Sequence, residues 1–144
     1  MIVNKCLLVE DDHAKSSDII KFLNENFSDI NIKKKSSLNS GLKALYEDNY
    51  DFVLLDMSLP VFEGKKARSF NPYAGIEFLE EMEQIKDETS VIIITQFSIF
   101  GEGSNEKTFQ ELKRHCESSF NNCKKVIYYL NHSWKEELKK ILEN

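Results

Sequence analysis

The chain has 144 residues and a net charge of −5, with 41% hydrophobic and 30% charged residues. That length suits one domain spanning 1–144 with a substantial core, and that balance belongs to a folded globular protein, not a disordered one. An acidic total argues against nucleic acid as the main partner, and no apolar run approaches the roughly eighteen residues a membrane span needs.

The N-terminal stretch meets acids at Glu10, too early for a signal peptide, so the cytoplasm is the expected location. Lys5 to Val9 reads as an apolar strand, with Cys6 expected as a buried reduced thiol. Cys116 and Cys123, even with His115 and His132, match no zinc-ligand spacing. A helix is predicted over 13–27, with Asp12 as its N-cap and Ile19, Ile20, Leu23 and Phe27 on one buried face. The alternating stretch 30–35 ends in Lys33, Lys34 and Lys35, as befits an edge strand protected from foreign pairing.

A short helix over 39–47 points Leu42, Leu45 and Tyr46 inward. Phe52, Val53, Leu54 and Leu55 form the third strand, which delivers Asp56 at its C-terminal end. The segment 61–74 shows no periodicity and is expected to be an inserted loop. Its Phe62, Phe70 and Tyr73, mixed with Lys65, Lys66 and Arg68, suggest a partner or gating surface. A helix over 75–86 leads to a fourth strand, Val91 to Thr95. A second irregular stretch, 96–105, is expected to be a flexible hinge, since its two glycines lack the Lys-Ser/Thr of a phosphate cradle. A helix over 106–120, a strand over 126–130 and a helix over 133–142 complete the chain.

Strands alternating with helices define an α/β protein: a five-stranded parallel sheet with helices on both faces. The three most continuously apolar strands belong in its centre and the lysine-rich one at an edge, which fits the order 2-1-3-4-5. The switch point of that order lies between the first and third strands, where Glu10, Asp11 and Asp56 meet. Three carboxylates at one rim repel one another unless a cation joins them, and oxygen ligands with room for water suit Mg2+. Such a site can bind a phosphoryl group through the metal, with Asp56 as nucleophile and the Thr95 hydroxyl donating to a phosphoryl oxygen. No lysine is expected beside these carboxylates.

Three motifs carry a family resemblance: Leu8-Val9-Glu10-Asp11-Asp12, Val53-Leu54-Leu55-Asp56-Met57-Ser58-Leu59-Pro60, and Ile92-Ile93-Ile94-Thr95. With Tyr128-Tyr129-Leu130 ahead of the last helix, the chain resembles a two-component response-regulator receiver domain, which has a flavodoxin-like fold. The resemblance implies that Glu10 and Asp11 are the acid pair, with Asp11 the direct Mg2+ ligand and the Ser58 backbone carbonyl completing the metal site. It also implies Asp56 as phosphoacceptor, Thr95 as switch hydroxyl and Tyr128 as switch aromatic. A histidine kinase or phosphotransfer protein becomes the expected phosphate source. Output is expected through a downstream protein partner, with neither nucleic acid nor membrane involved.

Two positions depart from the family. The lysine expected at the end of the fifth strand is replaced by Asn131, and the small residue after Thr95 by Gln96, which can crowd or contact a phosphoryl group. A missing charged hydrogen bond of roughly 1.5–3 kcal/mol implies weak switching at Tyr128. Three readings follow: a stand-alone phosphoacceptor receiver, a receiver-like module that binds partners without phosphate, and a metal-dependent hydrolase. The hydrolase needs a second acid where Ser58 stands. An enzyme acting on another molecule is not expected.

Overall fold

The computed structural model describes residues 1–64 and 69–144. In chain order the first half contains β1 (Lys5–Val9), α1 (His13–Asn26), β2 (Asn31–Lys35), α2 (Leu38–Glu47), β3 (Phe52–Leu55) and β4 (Leu59–Pro60). The second half contains β5 (Phe70–Asn71), α3 (Ala74–Gln84), β6 (Ser90–Thr95), β7 (Ile99–Phe100), β8 (Lys107–Thr108), α4 (Phe109–Ser119), β9 (Cys123–Tyr128) and α5 (Trp134–Glu143). Five of the strands form a parallel sheet in the order β2-β1-β3-β6-β9, the order expected from the sequence.

Side-chain alternation along these strands splits the core in two. Leu7, Val9, Val53, Leu55 and Ile93 pack on one face with α2, α3 and α4. Cys6, Leu8, Phe52, Leu54 and Ile94 pack on the other with Ile19, Phe22 and Leu23 of α1 and Trp134, Leu138 and Leu142 of α5. Strands buried on both faces are continuously apolar, which is why β1, β3 and β6 stand out in the sequence. β2 lies at one edge with most of its residues exposed. β9 lies at the other edge, where an ion pair within α4 occupies its open backbone. The Val126 N–H donates to Glu117 Oε2 at 2.9 Å, and Lys113 Nζ donates to the Val126 carbonyl at 3.1 Å.

Three of the five α-helix starts among the described residues follow capping chemistry, those of α1, α2 and α4. Asp12 accepts from the Lys15 N–H at 2.9 Å and opens α1, as its position suggests. Ser37 with Ser40, and Thr108 with Glu111, make capping boxes that open α2 and α4. The Ser37 box moves the start of α2 ahead of residue 39. Tyr46 does not point inward. It is exposed, and its hydroxyl donates to Glu81 of α3.

Each irregular stretch contributes to a pair of short antiparallel strands. β4 pairs antiparallel with β5, so the segment after Asp56 turns back on itself rather than wandering as a loop. It is tied down by Asn39 N–H to the Val61 carbonyl at 3.0 Å and by Ser58 Oγ to the Pro72 carbonyl at 2.9 Å. Phe62 and Phe70 are exposed on it, whereas Tyr73 is half-buried. Lys65, Lys66 and Arg68 lie outside the described residues. The second stretch is no open hinge: β7 pairs with β8 across a short 3-10 turn, Gly103–Asn105. Lys107 and Thr108 therefore join a strand, and α4 starts at Phe109. The Tyr73 hydroxyl links the hairpins by bonding to the Phe100 and Asn105 carbonyls. Gly101, at φ 73°, is needed there, because a Cβ would lie 2.5 Å from that hydroxyl.

Candidate functional site

The carboxyl-end rim of β1 and β3 gathers Glu10, Asp11 and Asp56, as the strand order requires. One carboxylate oxygen from each lies within 4.8 Å of the others. Glu10 and Asp56 are almost fully buried, and Asp11 is exposed. Asp56 Oδ1 accepts the Met57 N–H at 2.7 Å, and Glu10 Oε2 accepts the Asp12 N–H at 3.1 Å.

A fourth charge stands among them, contrary to the sequence-based expectation that no lysine does. Lys15, in the first turn of α1, is 1% exposed. Its Nζ lies 2.7 Å from Glu10 Oε1, 3.4 Å from Asp56 Oδ2 and 2.6 Å from the Ile94 carbonyl. The Tyr129 ring covers the ammonium at 5.7 Å, and the Tyr129 hydroxyl donates to Asp18. A signal for Lys15 was present in the sequence. It sits four residues before Ile19 and eight before Leu23, on the inward stripe of α1.

Burial, and then the charge of Asp56, push the Glu10 carboxyl up to about 8, while Lys15 and the Asp12 N–H pull it back. Asp11 is raised for the same two leading reasons. Carboxylates lifted by crowding and burial gain from a cation, and an all-oxygen donor set with one exposed member suits a hard, partly hydrated ion such as Mg2+. Lys15 binds the Glu10 side of the cluster and leaves Asp11 free.

The other expected residues surround this rim. Thr95, buried at the end of β6, accepts weakly from the Phe97 N–H at 3.4 Å, and Gln96 follows it half-buried. Tyr128 pairs with Thr95 across the β6–β9 ladder, and its ring packs on Phe109 of α4 at 5.4 Å. Ser58 is buried beside Asp56 in the chain, with its hydroxyl turned to Pro72. Asn131 is exposed. Its side chain accepts from the Ser133 N–H and hydroxyl and shapes the turn into α5. Lys135 lies over Trp134 at 5.7 Å. A groove of about 890 Å3 between α3, α4 and the second hairpin, lined by Tyr73, Ile76, Leu112 and His115 among others, includes none of the carboxylates.

A doubly covered parallel sheet with an acid cluster at its switch point is the arrangement the sequence resemblance implies, and comparison with known proteins shows the family. Residues 6–102 match the model of the response regulator receiver domain. DtcB, a Detocs response regulatory protein of Enterobacter cloacae, is 30% identical over 147 residues, covering 95% of this chain and 98% of that one. The chain therefore belongs to the response regulator receiver domain family of two-component signalling. The uncharacterized protein y4jR of Sinorhizobium fredii is 33% identical over 101 residues, 67% of each chain. Among solved structures, the receiver domain of Francisella response regulator 1452 superposes with a TM-score of 0.69 at 18% identity, covering 97% of this chain and 93% of that one. TrrA of Thermotoga maritima, solved in complex with Mg2+–BeF, gives 0.66 at 18% identity, covering 97% and 96%. Among the described residues, no helix is long and apolar enough to cross a membrane.

Proposed function

We propose that this receiver accepts a phosphoryl group on Asp56 in a Mg2+-dependent reaction and acts on a downstream protein through its altered surface. The observation that carries this is the convergence of the Glu10, Asp11 and Asp56 oxygens at the rim of β1 and β3. Asp11, with Asp56 and the Ser58 backbone carbonyl, would hold the ion, and Glu10 supports them. When bound, Mg2+ neutralises charge on the incoming phosphoryl oxygens. An Asp56 oxygen attacks phosphorus and a P–O bond forms, while the bond to the donor breaks. The donor class is a phosphohistidine of a kinase or phosphotransfer protein, whose imidazole leaves with the electron pair and takes a proton from solvent. The Met57 N–H at 2.7 Å orients the Asp56 carboxylate. Thr95 would donate its hydroxyl to the phosphoryl group, and its ladder partner Tyr128 would move with it, a reading supported by their pairing at the ends of β6 and β9. The reaction is confined to the protein's own aspartate, so the chain acts as a signalling module in the cytoplasm, not as an enzyme on other substrates.

Incubation with acetyl phosphate and Mg2+, followed by intact mass, tests this. The expected product carries one phosphoryl group, absent without Mg2+ and absent in Asp56→Asn. A protein that gains no mass under these conditions overturns the reading. It would favour the second one, a module binding partners without phosphate, which draws support from Asp56 being only 2% exposed.

A further inference from the structure

The ammonium of Lys15 sits where a cation is disfavoured. Lysine is almost never fully buried unless paired, so its burial depends on its partners, and a cation in the first turn opposes the positive end of the helix dipole. Neither helix formation nor solvation explains it, so the explanation lies in what it touches. Its three N–H groups face Glu10, the Ile94 carbonyl and Asp56, and the contact to Asp56 is the longest of the three, at 3.4 Å against 2.7 and 2.6 Å. Among the described residues, no other basic side chain pairs with Glu10 or Asp56. The turn after β9 supplies none, since Leu130 and Asn131 face solvent there.

We propose that Lys15 is the phosphoryl-binding cation of this protein, and that its movement toward phosphorylated Asp56 is what alters the end of β6. This rests on Asp56 being the acceptor. New phosphoryl oxygens bring more charge to Asp56 than the Ile94 carbonyl offers. The ammonium then strengthens its loosest contact at the expense of the neutral carbonyl. Ile94 directly precedes Thr95, whose own carbonyl accepts from the Tyr129 N–H at 2.8 Å. Tyr129 also roofs the ammonium. One side chain of α1 thus touches β1, β3, β6 and the turn after β9. The expectation that no lysine stands beside these carboxylates is wrong, and if Lys15 takes this role the argument for weak switching loses its premise.

The experiment uses the whole chain with Mg2+ and beryllofluoride, a phosphoryl mimic. The side-chain ammonium of Lys15 is followed by 15N NMR, together with the backbone signals of Ile94, Thr95 and Tyr129. In the unmutated protein the Lys15 Nζ and Ile94 carbonyl signals are expected to shift together as the mimic saturates. Lys15→Gln is expected to weaken mimic binding by roughly tenfold to a hundredfold, the weight of a charged hydrogen bond, and to leave Ile94 unshifted at saturation. A Lys15 signal that stays fixed while the mimic binds Asp56 overturns the proposal and leaves the acceptor role of Asp56 standing. So does a Lys15→Gln variant that binds and shifts as the parent does while melting lower, the mark of a purely structural ion pair. If neither acetyl phosphate nor the mimic modifies Asp56, both readings fall, and the mass measurement shows it. The unmutated arm decides the matter even if Lys15→Gln does not fold.

Discussion

The first turn of α1 and the turn after β9 treat polarity in opposite ways. The helix places a charged lysine in the interior at 1% exposure, and the turn leaves Leu130 66% exposed in water. Each choice looks wrong from local composition and is reasonable from what surrounds it. Lys15 enters a pocket already holding two carboxylates and a carbonyl, where burying a cation costs less than leaving the acids unpaired. Leu130 lies two residues past the last ladder residue, Tyr128, and Asn131 then directs the chain into α5. Position in the chain does not decide where a cation is needed; the carboxylates do.

The sharpest way to break this contrast is to delete each residue. Lys15→Ala leaves Glu10 and Asp56 buried without a cation and is expected to cost about 3–5 kcal/mol above pH 8, where the Glu10 carboxyl is ionised. Asn131→Ala removes only two exposed turn bonds to a single oxygen and should cost about 0.5–1.5 kcal/mol. Urea denaturation of both variants checks the difference; equal losses would erase the distinction.

Next in size is the exposed side of the cluster. Asp11→Asn is expected to weaken Mg2+ binding by more than tenfold, roughly the weight of one hydrogen-bonded charge. The same change should slightly raise the melting temperature without metal, because it relieves the crowding that lifts the Asp11 carboxyl. Calorimetric titration and thermal melts in chelator measure the two effects, which should have opposite signs.

A pH effect follows from the buried side. Glu10 titrates near 8 in the folded chain against 4.5 when free. Across that window the folded state holds a proton the unfolded state has released, so on this residue's account stability falls as pH rises. Metal-free protein in chelator should lose more urea resistance between pH 5.5 and 8 than Glu10→Gln does. The smallest effect is expected from Asn131→Lys. If Lys15 already serves the site, restoring a lysine after β9 changes mimic binding by less than about threefold, well under one charged hydrogen bond.

Much of this was legible in the residues. Continuous apolar runs fixed the central strands, the lysines of β2 marked its edge, and acids at strand ends located the rim. The hairpins were not legible, because two-residue ladders leave no period to read. Lys15 was hidden for another reason. An inward stripe of Ile19 and Leu23 extends back to it, but a lysine at a core position reads as an exception until its partners, Asp56 and Ile94 far along the chain, are brought beside it. The strand order says that acids meet; it does not say which helix side chain reaches between them.

The ion pair of α4 over Val126 bears on how the molecule behaves in crowded solution. The two rims of the sheet are closed by different physics: like-charge repulsion from Lys33, Lys34 and Lys35 on one, and the half-buried Lys113–Glu117 pair at 2.6 Å on the other. Repulsion between exposed charges fades as salt shortens the screening length, whereas a half-buried pair with directed hydrogen bonds fades far less. Were two chains to pair edge to edge, the physics of the two rims would give that pairing a side. Rising salt is expected to open the β2 rim first, while the β9 rim stays shut.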